Sequence, residues 1–316
     1  PDHHQIVGSA LDFAASGYSS QFTIEKEQIG VYFQNQMRLG QWVLIAGGRY
    51  DTFESREHGI QYGANVDGKI DQNNTSWRAG ALYEFSNGLS PFISYAESFE
   101  PVGGLDRLGR TYEPSTANQW ETGLKYSSPN KQTSGSVALY RIEKENVLTR
   151  DPNGTPYDQI QAGEVRSQGV EIEARSQITR NLNLMASYNY QDVEVTEDNS
   201  GLQGKTPVWV PDQTVTTWAS YDVFNGPLAG LTLGGGVRYI GEAELDALNS
   251  DSVPSATLVD ASIGYDLGEL GRAMDGASVK LTANNLFDER YYSCYDGLNC
   301  WFGAERSVQA SVRYDF

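Results

Sequence analysis

An all-β fold, built as an antiparallel barrel that crosses a membrane with strands, is what this 316-residue sequence predicts. Three observations lead there. Apolar side chains recur at every second position over many segments, the period of a strand. The connections between those segments alternate between short and long. No run approaches the roughly 18 to 20 consecutive apolar residues that a spanning helix needs, and the mean hydropathy of -0.48 is too polar for a helical membrane protein.

The final segment shows the period plainly: Val308, Ala310, Val312, Tyr314 and Phe316 alternate with Gln309, Ser311, Arg313 and Asp315. The same template fits Leu182, Leu184, Ala186, Tyr188 and Tyr190, then Val259, Ala261, Ile263 and Tyr265, then Trp77, Ala79, Ala81 and Tyr83. Thirteen strands are expected, at about 28–39, 42–54, 75–85, 90–100, 117–127, 132–147, 163–178, 181–193, 213–224, 229–242, 256–267, 277–287 and 306–316. Asn87-Gly88 and Asn225-Gly226-Pro227 supply the backbone conformations of tight turns in the short connections. The long connections, at about 55–74, 101–116, 148–162, 194–212, 243–255 and 288–305, are rich in Asp, Asn, Gly, Ser and Pro.

A soluble sandwich has no reason to gather every long loop at one end. A bacterial outer-membrane barrel does, with short periplasmic turns and long extracellular loops, and closure pairs every backbone group that would otherwise face hydrocarbon. Trp42, Tyr50, Trp77, Tyr126, Tyr190, Tyr221, Tyr265 and Tyr314 near strand ends fit interfacial girdles. With thirteen strands and the short turns inside, strand one begins outside, whereas single-chain bacterial barrels keep an even number. The expectation is therefore an incomplete barrel, with residues 1–27 a remnant of an extracellular loop and 28–316 the C-terminal part of the barrel. Phe316 then closes the last strand at the inner interface against a first strand that lies outside this chain. Pro1-Asp2-His3-His4 opens without a signal-peptide pattern, so an upstream or processed segment is expected.

The net charge of -18 opposes binding to nucleic acid. Cys294 and Cys300 stand close together in the last long loop, which predicts a local disulfide in an oxidising compartment, the alternative being two free thiols. Catalysis finds little footing. The only histidines are His3, His4 and His58, and none lies beside a G-x-S-x-G-type motif. His3-His4 has no spaced partner for a metal, and no cofactor is called for. Inward charges at Arg49, Arg78, Glu84, Glu121, Lys125, Glu171, Glu173, Arg175 and Arg238 suit either a hydrated lumen or a docked plug. Loop acids such as Asp246, Asp251, Glu197 and Asp198 either solvate the loops or attract cations and cation-bridged lipopolysaccharide.

Four runs carry a resemblance: "SYAESFEP" (Ser94 to Pro101), "RSQGVEIEAR" (Arg166 to Arg175), "NNLFDERYY" (Asn284 to Tyr292) and "CYDGLNCWFGAERSV" (Cys294 to Val308), followed by a terminal aromatic. Together they resemble the C-terminal barrel of TonB-dependent siderophore receptors, most of all the ferric hydroxamate (ferrichrome-type) receptors, from about Glu25 to Phe316. The resemblance implies an outer-membrane receptor and transporter for a ferric siderophore, a barrel of about 22 strands holding an N-terminal plug, and energy supplied through TonB. The plug and the early strands have no counterpart in this chain. Partners implied are the siderophore, the TonB complex through that plug, outer-membrane lipid and lipopolysaccharide, and phage or bacteriocin. The matching ligand-contact positions are Phe99 and Tyr295, with Trp301, Phe302 and Tyr292 as neighbours; ordinary packing is the competing account of each. Tyr314 and Phe316 match the terminal assembly signal. Acids outnumber the loop arginines Arg56, Arg107, Arg110, Arg150 and Arg290, which suits a neutral or cationic ferric hydroxamate better than a tri-anionic catecholate. A passive porin-like channel and an adhesin or phage-binding barrel remain as alternatives.

Overall fold

The computed structural model describes residues 20–61, 64–154 and 158–315. The short connections set the register of each hairpin. Gly88 shows why such positions are glycine: its φ is +89°, and an added Cβ would lie 2.1 Å from the carbonyl oxygen of Ser127. Gly276 repeats the device at φ +81°, against the carbonyl of Asp315.

From these turns rise β1 (Ser20–Leu39), β2 (Trp42–Gln61), β3 (Ala64–Tyr83), β4 (Leu89–Glu100), β5 (Ser115–Ser127), β6 (Thr133–Arg150), β7 (Gln159–Gln177), β8 (Leu182–Glu197), β9 (Gln213–Asp222) and β10 (Leu231–Ile240). Two short strands, β11 (Ala243–Glu244) and β12 (Ser252–Val253), form a ribbon inside the next long loop. β13 (Ala256–Asp266) and β14 (Ala277–Asn284) follow, joined through two 3₁₀ turns. The last long loop carries a second ribbon, β15 (Tyr292–Cys294) and β16 (Cys300–Phe302), before β17 (Ser307–Tyr314).

Thirteen strands form one meandering antiparallel sheet in the order β1 to β10, β13, β14, β17. Each of the thirteen expected strands is present. The sheet is open: among the described residues β1 pairs only with β2, and β17 only with β14. From β3 onward short and long connections alternate as expected, so the long loops share one rim. The first three strands differ from expectation. β1 starts at Ser20, so residues 20–27 are strand, and the expected loop at 55–74 is strand apart from residues 62 and 63. His58 accordingly sits in β2, opposite Thr23 and Asp67. His3, His4 and Phe316 lie outside the described residues.

Cross-strand partners share a face, so register sorts the sheet into two sides. Ile172 lies opposite Val137 and Tyr188, and Leu281 opposite Ile263 and Ala310. These apolar side chains stay exposed, with Leu139 and Trp120 each 53% accessible. Among the described residues no dry centre absorbs them, which is the behaviour of a lipid-facing wall. Aromatics gather on this side in two belts: Trp42, Tyr83, Tyr126, Tyr221 and Tyr265 near the short turns, and Tyr50, Trp77, Tyr95 and Trp120 higher up. Tyr95 and Trp120 rings meet at 4.8 Å.

The opposite face is polar and internally paired. Asp51, fully buried, accepts from Arg49 Nε at 2.6 Å and from Gln28 Nε2 at 3.0 Å. Gly30 opposite leaves the room for them, since a Cβ there would fall 2.1 Å from the Arg49 guanidinium. Arg38 pairs with Glu84, and the Lys125 ammonium stands 4.8 Å from the centre of the Phe92 ring.

Candidate functional site

The site begins at the base of the last loop. Asp260 on β13 is buried and accepts from Arg238 of the neighbouring β10, Nε at 2.6 Å and Nη2 at 3.0 Å, and from the backbone N–H of Asn285 at 2.9 Å. Asn285, itself 2% exposed, takes a left-handed φ of 50°, which asparagine tolerates better than most residues. Its side-chain amide donates to the carbonyls of Glu289 at 2.9 Å and Ala304 at 3.1 Å, while its oxygen accepts from the Glu289 N–H. Asp288 accepts from the Arg306 N–H at 2.9 Å. Both legs of the loop are thereby tied to the barrel wall.

Above this base, Tyr292 pairs with Phe302, Ser293 with Trp301 and Cys294 with Cys300. The two cysteines form the expected disulfide. At the tip, the Asp296 carboxylate accepts from the backbone N–H groups of Leu298 and Asn299. Alternation along the ribbon places Tyr292 and Phe302 on the side of the disulfide, and Trp301 on the other. Tyr295 and Trp301 both meet Trp209 of the 198–212 loop, with ring centroids 5.8 Å and 6.1 Å away. Three large aromatics from two loops thus stand together at the rim, each more than half exposed.

The expected ligand positions therefore separate into three places. Tyr295 and Trp301 come together; Tyr292 and Phe302 pair on the reverse of the ribbon; Phe99 lies on β4 opposite Thr116, on the lipid-side face that carries Tyr95. Trp209 was not among the residues singled out from sequence. Its one signal there is a lone tryptophan in an irregular stretch between Pro207 and Pro211.

The other long loops brace the cluster. Thr206 and Asn249 exchange two hydrogen bonds, N–H to Oδ1 at 2.9 Å and Nδ2 to carbonyl at 2.8 Å. Asn199 donates to the Thr149 hydroxyl at 3.3 Å, and Arg107 binds Asp151 at 3.0 Å. Gln72 on β3 donates to the carbonyls of Val102 and Tyr112, and the Tyr112 hydroxyl donates to the Gln159 carbonyl at 3.0 Å. The loops form one connected crown rather than separate flaps.

Acid should loosen this crown. Hydrogen bonds from backbone N–H groups and from Arg110, Arg107, Ser250 and Asn299 hold the carboxyls of Asp106, Asp151, Asp246 and Asp296 below the usual aspartate range. A depressed folded-state value means the stabilisation is whole above the ordinary aspartate pKa of about 3.9 and is lost as pH falls through the still lower folded value. Loop proteolysis is expected to be flat from neutral pH down to about pH 4 and to rise steeply below it. A rise centred near neutrality would contradict this. The Cys294–Cys300 disulfide closes only a short loop, so its reduction should lower barrel stability by about 2 kcal/mol or less. The unfolding midpoint of a Cys294→Ser, Cys300→Ser variant in urea checks this.

Comparison with known proteins agrees with this architecture. The family described as TonB dependent receptor-like, beta-barrel matches residues 5–286. The Ferrioxamine B receptor of Salmonella typhimurium (strain SL1344) is 40% identical over 307 residues, covering 96% of this chain and 43% of that protein. The Ferrichrome outer membrane transporter/phage receptor of Escherichia coli (strain K12) is 40% identical over 293 residues, covering 92% of this chain and 38% of that protein. The chain thus spans about two fifths of the length of these relatives. Among solved structures, the siderophore receptor PiuA from Acinetobacter baumannii superposes with a TM-score of 0.77 at 26% identity, over 93% of this chain and 44% of that one. With the two-faced sheet, the single rim of long loops and a family match over most of its length, the chain belongs to the TonB-dependent receptor β-barrel family of the outer membrane.

Proposed function

We propose that this barrel wall serves an outer-membrane receptor that binds and imports a ferric siderophore of the hydroxamate type, energised through TonB by way of a plug domain. The observation that carries the reading is the aromatic cluster of Trp209, Tyr295 and Trp301, held at the loop rim on a disulfide-closed ribbon. Exposed aromatic faces grip an amphipathic ligand at low entropic cost. The two relatives named for ferrioxamine B and ferrichrome support the same ligand class.

Electrostatics points the same way. Arg56, on the outer half of β2, and the loop arginines Arg107 and Arg110 are ion-paired with Glu54, Asp151 and Asp106, so these charges are already neutralised locally. A tri-anionic catecholate complex finds little positive potential there, whereas a neutral or cationic complex meets no penalty. Lipopolysaccharide, phage and bacteriocin are further partners of the same outer surface in this proposal. No chemical step is assigned to the chain.

Titration of the receptor, purified from outer membranes as its gene encodes it, with ferrichrome, ferrioxamine B and a ferric catecholate tests the reading. Quenching of tryptophan emission should report binding of a hydroxamate complex at least about 100-fold tighter than the catecholate, a difference of about 2.7 kcal/mol. A catecholate that bound tightest would overturn the ligand class.

A further inference from the structure

Trp209 stands out on two independent grounds. Its backbone φ is +65°, the left-handed region that a bulky side chain adopts only at a cost. Its indole is 53% exposed yet touches Tyr295 and Trp301. A strained backbone persists only where surrounding contacts over-determine it, and here they do. Below Trp209, Thr206 is locked to Asn249 through two hydrogen bonds, and Asn249 also has a left-handed φ, of 54°. Above it, the ring meets the two aromatics of the disulfide ribbon. The strain is therefore held between a hydrogen-bonded anchor on one side and ring contacts on the other.

The ribbon needs such a hold. The Asp260–Asn285 network fixes its two legs at the base, and the disulfide fixes the two strands to each other. Neither fixes the ribbon's tilt against the neighbouring loops. Trp209 supplies a contact from a different loop at the height of Tyr295 and Trp301.

We propose that Trp209 is a positioning residue: it braces the β15–β16 ribbon so that Tyr295 and Trp301 present their faces to the mouth in the ligand-free receptor. The proposal rests on the functional reading above for its ligand, though not for its geometry. Preorganisation of this kind raises affinity by removing an ordering cost that binding would otherwise bear. The surface built is an exposed patch of three neighbouring aromatic rings, suited to the apolar flank of a hydroxamate complex.

The test compares wild type, Trp209→Ala and Trp209→Phe in the receptor purified from outer membranes. Hydrogen exchange without ligand is read first, at the amides of residues 292–302. Exchange there should quicken about tenfold in Trp209→Ala, return toward wild type in Trp209→Phe, and stay unchanged in the sheet strands. Titration with ferrichrome and ferrioxamine B is read second, with affinity expected to fall about tenfold in Trp209→Ala and to recover in Trp209→Phe. Unchanged exchange in Trp209→Ala overturns the brace, whatever the ligand. Quickened exchange with unchanged hydroxamate affinity overturns its role in binding. Failure of the wild type to bind either hydroxamate overturns the ligand assignment alone, and the exchange arm still decides the brace.

Discussion

Replacing Asp260 by alanine is expected to destabilise the barrel by about 3 kcal/mol, the largest single effect foreseen outside the lipid face. Asp260 accepts three hydrogen bonds, two from the Arg238 guanidinium and one from the Asn285 N–H. Alanine removes all three acceptors at once. The Arg238 side chain is 39% exposed and can rehydrate in part, so its share of the loss falls at the low end for a broken ion pair. Asn285 has no such escape at 2% exposure, and its N–H would be left without a partner in a place water does not reach. Asp260→Asn keeps one acceptor and should cost less than half as much. The unfolding midpoint in urea, followed by loss of heat-resistant gel mobility, measures both variants. Hydrogen exchange at residues 285–306 should rise with the alanine variant, because the same carboxylate anchors the last loop. An alanine variant that unfolds with the wild type would mean the network is ornamental.

How legible this fold was depends on which solvent each residue faces. Within the bilayer one face of every strand must be apolar and the other is wet, so strands such as β8 and β13 print an alternation that identifies them and their phase. Above the bilayer both faces meet water and the alternation vanishes. That is why the outer halves of β2 and β3, where Glu57, Asp67, Lys69 and Asp71 stand on strand, look like loop in sequence. Phe99 carries a related lesson. Its parity with Ile93 and Tyr95 was already visible, and continuing that parity along β4 puts it on the same face of the sheet as those two residues. The disulfide was legible because its partners are six positions apart. Trp209 was not, because its meeting with Tyr295 and Trp301 joins segments more than eighty residues apart and leaves no periodic trace. Asn285 lay inside a recognisable motif, but its role depends on Asp260, a partner on another strand.

The two-faced wall itself yields the sharpest contrast. Ile172 on β7 lies opposite Val137 and Tyr188 on the apolar side, five residues above the inner end of its strand at Gln177. An arginine there would sit near the bilayer midplane and should cost about 2–4 kcal/mol. Ser187 on β8 is a short distance away across the sheet, exposed on the polar side and opposite both Glu173 and Thr216. An arginine at Ser187 enters water beside a carboxylate, and the expected change is within about 0.5 kcal/mol of zero. The arginine introduced is the same in the two variants; what differs is the residue it replaces and the face it enters. Reversible unfolding from lipid vesicles compares them directly. If Ile172→Arg and Ser187→Arg are equally tolerated, hydrocarbon does not wet the Ile172 face. If Ser187→Arg is the costlier of the two, the faces are reversed. The expected ordering follows from hydration alone: one guanidinium must draw water or headgroups into the bilayer, and the other is already in water.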